Sequence, residues 1–136
     1  MQYSVAVNNA RLDAIETTIG TSPKLRFYSG AMPANCAAAR SGTLLAEGAL
    51  PSDWLSNAAA AQKAKAGAWQ ATGQAGAGSG TNIGYYSIMD STGATCHEQG
   101  TVTVTGGGGD MTVDNINVAN AQVITVNTYT KNAGNQ

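Results

Sequence analysis

Cys96 and His97 stand side by side, a thiol next to an imidazole, the parts of a nucleophile and its base. Adjacent residues of an extended run point to opposite faces, so within a strand these two cannot share a hydrogen bond. The spacing predicts Cys96 inward with Val102 and Val104, and His97 outward. The second cysteine, Cys36, is 60 residues away. A chain made in a reducing cytosol keeps such a pair as thiols, and both are expected to be free.

Gly106 to Gly109 are four consecutive glycines between two Thr- and Val-rich runs. A phosphate cradle needs a strand before such a loop and a helix after it, so that backbone N–H groups converge on the anion. Here the next run, Met-Thr-Val-Asp, has strand character and no Lys-Ser or Lys-Thr pair follows, so the quartet is expected to be a hairpin-like joint. The stretch at 76–80 fails the same test, and the tract from Gly73 to Gly80 is expected to be a mobile loop.

Metal chemistry would need three or four ligands at workable spacing. The sequence offers one His, two distant Cys and scattered acids; Asp110, Asp114 and Asn115 have turn chemistry. Nothing selects two of the eight acids as a hydrolytic pair. Glu98 shares the inward face with Cys96 by strict alternation, where a lone charge is costly, so a bulge near Gly100 or an edge position is expected. Trp54, Trp69, Tyr85 and Tyr86 would suit a sugar platform, but in a β-domain such residues more often build the core or subunit contacts. No catalytic, cofactor-binding or metal-ligating residue is assigned.

The elements that would position these groups are short. Val5, Leu12, Ile15 and Ile19 fall on one face of a helix over residues 4–20, with Ser4 as N-cap, Gly20 at the C-terminal stop and Pro23 beyond it. Lys24 to Tyr28 alternates as a strand, and Ser29 to Gly42 is a long loop. Further strands are expected over 43–50, at Trp54 and Trp69, and over 83–89, 94–105, 111–118 (continuous or broken at Asp114-Asn115) and 122–130. Asp90 to Gly93 is a turn, and the alanine-rich 58–66 leans towards an extended segment. One domain over 1–136 follows: an N-terminal helix, a β-region over 24–130 and a tail from 131. The fold class is mainly β, an antiparallel two-sheet sandwich or jelly roll of about eight strands behind a short amphipathic helix.

Only 11% of the residues are charged and the net charge is −1, with seven scattered basic residues. Nucleic-acid binding lacks its electrostatic footprint. No apolar run reaches the ~20 residues of a membrane-spanning helix. The start lacks the basic and apolar regions of a signal peptide, which points to synthesis in the cytoplasm.

The segments "NARLDAIETTIG", "SPKLRFYSGAMPANCAAARSGTLLA", "LPSDW", "ATCHEQGTVTVTGGGGDMTVDN" and "AQVITVNTYT" together resemble a family of small proteins encoded by tailed bacteriophages and prophages. The resemblance runs from about Asn9 to Thr130. It implies a virion structural protein and carries no catalytic residue. On that resemblance the chain is expected to be a non-enzymatic decoration or cement protein on the capsid exterior. Its implied partners are the major capsid protein and sister copies. A minor tail, baseplate or receptor-binding part is the alternative, and a glycan-binding module or small hydrolase the further one. Val5, Leu12, Ile15 and Ile19 are the candidate interface; the competing assignment has the same face capping the chain's own core, because a helix this short needs packing to persist.

Overall fold

The computed structural model describes residues 1–134. Its helix, α1 (Val5–Ile19), starts where Ser4 accepts a hydrogen bond from the N–H of Val7. It stops at Gly20, whose φ of 90° turns the chain away while its N–H still bonds the Glu16 carbonyl. Eleven strands follow: β1 (Lys24–Tyr28), β2 (Leu44–Ala49), β3 (Gln62–Ala64), β4 (Gln70–Gly73), β5 (Thr81–Asn82), β6 (Tyr85–Met89), β7 (Cys96–Gly100), β8 (Val102–Val104), β9 (Met111–Val113), β10 (Asn117–Val118) and β11 (Val123–Asn132). The last strand runs past Thr130 to Asn132, so the expected tail is shorter, and its end at 135–136 lies outside the described residues.

Nine strands form one sheet in the order β7-β6-β1-β2-β4-β11-β9-β8, with β3 paired to the far end of β11; β5 and β10 form a small second sheet. The two ends of that order, β7 and β8, are consecutive in the chain. Residues 96–100 pair with β6 on one edge, and after Thr101 residues 102–104 pair with β9 on the other. The expected single strand over 94–105 is therefore two half-strands that nearly close the sheet on itself. The bulge expected at Gly100 lies instead at His97, where β7 slips between Glu98 opposite Ile88 and Cys96 opposite Met89.

The glycine quartet is not a hairpin joint. β8 and β9 are parallel, Val102 facing Met111 and Val104 facing Val113, so the sheet is mixed rather than antiparallel throughout. Parallel neighbours ordinarily need a crossover of a dozen or more residues. Here residues 105–110 double back flat against β8, with the N–H of Gly107 on the Val104 carbonyl and that of Gly109 on Thr103 Oγ1. A Cβ on Gly107 would sit 2.6 Å from Thr103 Cβ, and one on Gly109 2.9 Å from the Thr103 nitrogen. Only glycine lets the chain retrace its path so closely.

The core is one cluster. Leu25, Phe27 and Leu45 of β1 and β2 meet Ile124 and Val126 of β11 and Met111 and Val113 of β9. Trp54, Trp69, Tyr85 and Tyr86 are all at most 2% exposed, which assigns them to packing and removes them from any sugar platform. Trp69 tilts against Trp54 and Tyr129, and its indole N–H is held by the Trp54 and Ala66 carbonyls.

Two covering segments complete the fold. The loop from Ser29 to Gly42 lies over the outer face of β6: Tyr85 stacks on Tyr28 and donates to the Ser41 carbonyl, and buried Ser87 is met by Arg40. The alanine-rich stretch is extended, as expected, and forms a hairpin whose turn places Ala60 and Ala61 at φ 50° and 58°. The tract expected to be a mobile loop instead contains a short 3-10 turn at Ala75–Ala77, with Ala77 buried.

Candidate functional site

Sheet closure leaves a seam between β7 and β11 that backbone bonds do not cross, and a cluster of side chains crosses it. Glu98 of β7 accepts the hydroxyls of Tyr86 (β6) and Tyr129 (β11), both at 2.6 Å on Oε1. Its Oε2 meets the ammonium of Lys131 (β11) at 2.5 Å. Lys131 also stands 5.3 Å over the Tyr129 ring. Beside the cluster, at the point where β7 gives way to β8, Asp110 accepts both the N–H and the hydroxyl of Thr101.

The electrostatics follow from burial. Tyr86 and Tyr129 are 2% and 3% exposed. Burial, then the neighbouring Glu98 charge, pushes both phenol pKa values far above the ordinary one, so both stay protonated donors. Asp110 is held below the usual carboxylate range by its hydrogen bonds from Thr101. Three donors thus converge on one carboxylate, an arrangement that ties three strands together.

Helix α1 lies across this seam. Arg11, Ile15 and Ile19 form one wall, and His97, Glu98 and Lys131 the other, of an open cleft of about 360 Å³. A second cleft of about 350 Å³ continues past Tyr86 and Asp110. Both volumes are at the low end for small-molecule sites. Among the described residues no three His, Cys, Asp or Glu side chains gather to hold a metal ion. Asp114 instead holds the N–H of Thr125, and Asn115 that of Asn117.

The helix is fixed by two stripes. Asn8, Leu12, Ile15 and Ile19 recur at helical spacing and face inward. Asn9, Asp13 and Glu16 form the second stripe, and their side-chain oxygens accept the N–H groups of Ala61, Ala58 and Leu55. Lys63, its side chain 3% exposed, bridges Asp13 at 2.7 Å and Glu16 at 2.9 Å. Burial pulls the Lys63 pKa down, but its two carboxylate partners outweigh that and raise it.

This docking divides the four residues of the candidate interface. Leu12 and Ile19 are 3% and 8% exposed and Ile15 packs against the core, so these three cap the chain's own sheet. Val5 alone of the four stays outward, at 47%. Met1, Tyr3 and Val7, none of which the sequence pattern singled out, are exposed as well, so the apolar side chains of the first seven residues are largely uncovered. Arg11 lies over the Tyr3 ring at 5.1 Å and so ties this end to the helix.

The thiol and imidazole do not meet as a dyad. His97 is exposed, and Cys96 is half-buried beside Cys36 rather than in the core with Val102; Val104 is itself exposed. Two features escaped sequence reasoning. The Tyr86–Glu98–Tyr129–Lys131 cluster was signalled only by the misplaced charge of Glu98. The docking stripe left one signal, polar residues at 9, 13 and 16 recurring at helical spacing beside the apolar face. No protein-family model, curated protein or solved structure matches this chain.

Proposed function

We propose that the chain is a non-enzymatic structural protein of a phage virion, a decoration subunit on the capsid exterior that binds the major capsid protein lattice alongside sister copies. The observation that carries the reading is the apolar N-terminal end. Met1 and Tyr3, just before α1, and Val5 and Val7, in its first turn, are exposed between 40% and 96%; the other exposed large apolar side chains among the described residues are Met32, Val104 and Val123. Exposed apolar side chains concentrated in one short segment favour a protein contact there. The phage-family resemblance supplies the partner. In the same reading the two halves of the sheet, β7-β6-β1-β2 and β4-β11-β9-β8, are the layers of a sandwich, folded over between β2 and β4.

Binding of purified protein to capsids stripped of it tests the proposal. Val5→Asp with Val7→Asp places two charges in the first helical turn, where α1 has no acidic residue and where the helix dipole favours them. The fold therefore stays intact while an apolar contact is disrupted. The expected result is at least a tenfold loss of capsid affinity with unchanged thermal stability. Unchanged affinity, or binding to tails alone, overturns it.

A further inference from the structure

We propose that Cys36 and Cys96 are a built disulfide site, a reversible covalent staple between the loop over β6 and the edge strand β7. The two Sγ atoms lie 2.7 Å apart. Carbon-sized atoms that are not bonded rest about 3.5–4.0 Å apart. An S–S bond is about 2.04 Å, so closure needs a shift of well under an ångström.

The approach is imposed by the surroundings. Cys36 belongs to the loop, and Arg40 fixes that loop from both sides. One end of the guanidinium, Nη2, donates to the carbonyls of Asn35, Cys36 and Ala38. The other, Nη1, donates to Ser87 of β6 and, at 2.7 Å, to Gln99 of β7. Gln99 in turn donates to the Pro33 carbonyl at 2.6 Å. A buried serine and an edge-strand glutamine thereby hold the Cys36 backbone against β7. The bulge at His97 sets the direction of Cys96. Both cysteines are only half-buried, so a small oxidant reaches them.

The oxidant is a low-molecular-weight disulfide of the glutathione class. One protein thiolate attacks it, the small S–S bond breaks, and a mixed disulfide forms with release of one small thiol. The other protein thiolate then attacks the protein sulfur of that mixed disulfide and expels the second small thiol. Two protein thiols are oxidised, one small disulfide is reduced to two thiols, and the two protons pass from the protein to the leaving thiolates. Burial and the hydrogen bond with Cys96 push the Cys36 thiol up to about 12, so Cys36 by itself attacks slowly near neutral pH. The chain folds with both thiols reduced, and the bond closes on exposure to an oxidising medium. This inference is independent of the decoration reading, since it concerns only the chain's own fold.

The test is equilibration of the purified full chain in reduced and oxidised glutathione, followed by alkylation and intact mass. The expected product is monomeric, lacks two hydrogens, takes up no alkylating agent and yields a linked Cys36–Cys96 peptide on unreduced digestion. Its melting temperature rises by roughly 5–15 °C over the reduced form. Arg40→Ala keeps both thiols but frees the loop, and is expected to lower the equilibrium constant for closure about tenfold. Glutathionylated or cross-linked dimeric products in place of the internal bond overturn the proposal, as does closure that is indifferent to Arg40.

Discussion

Glu98 shows how a single side chain can be read correctly as an anomaly and still not be explained. Alternation placed a carboxylate on an inward face, and the structure surrounds it with three donors from two other strands. Removing it leaves two buried tyrosine hydroxyls without an acceptor. Glu98→Ala is therefore expected to cost about 3 kcal/mol in urea unfolding, and Glu98→Gln, which keeps one acceptor, about half of that. A loss under about 1 kcal/mol for the alanine variant would mean that water replaces the carboxylate at no penalty.

Asp90 gives a pH-dependent counterpart. The hydroxyl of Thr92, then the backbone N–H groups of Ala94 and Thr95, lower its pKa from 3.8 to about 2. A lowered carboxyl pKa contributes stability that is complete above the unfolded value and is lost as pH falls through the folded one. Stability from this turn should thus fade between pH 3.8 and about 2. The carboxyl resonance of Asp90 should titrate near the lower value, and in Thr92→Val move back towards 3.8. An unchanged midpoint in the variant would remove Thr92 as the cause.

At the scale of elements, the helix and most strand positions were legible because each rests on local chemistry. Ser4 and Gly20 bound a repeat at 3.6-residue spacing, and Asp90 to Gly93 carries its own turn. What was not legible depends on partners distant in sequence. The stretch 94–105 has one unbroken strand pattern, and nothing within it tells that its halves pair with opposite edges of one sheet. The parallel pairing of β8 with β9 likewise depends on how closely Gly107 and Gly109 approach Thr103, a contact that composition does not display. The helix face was ambiguous between core and partner for the same reason, and packing drew Leu12, Ile15 and Ile19 inward while leaving Val5 out.

The hairpin turn at Ala60 and Ala61 is an element whose sequence and conformation disagree. Both residues adopt positive φ, which the two-residue hairpin requires and which alanine disfavours by about 1–2 kcal/mol each. Asn9 holds the Ala61 N–H at 2.9 Å and α1 thereby clamps the strained turn. Ala60→Asn with Ala61→Gly is expected to raise stability by about 1 kcal/mol, after the glycine's added unfolded-state entropy is subtracted. A destabilisation in thermal or urea melts would show that the alanine methyls contribute more through packing than their backbones lose through strain.

The whole molecule exposes 6512 Å². A folded monomer of 13.7 kDa is expected to expose about 6600 Å², so the chain completes its own core without a partner. The consecutive edges β7 and β8, the core cluster and the helix across the seam make this one cooperative unit, with Val5 and Val7 left exposed at the start of the helix as the proposed contact surface. The central claim is that this surface meets the major capsid protein. Quantitative mass spectrometry of purified virions, counting copies of the chain against the major capsid protein, tests it most directly. A copy number that rises and falls in fixed proportion to the capsid lattice is the predicted result. A number fixed by the tail's few symmetry-related positions, or absence from the particle, would contradict it.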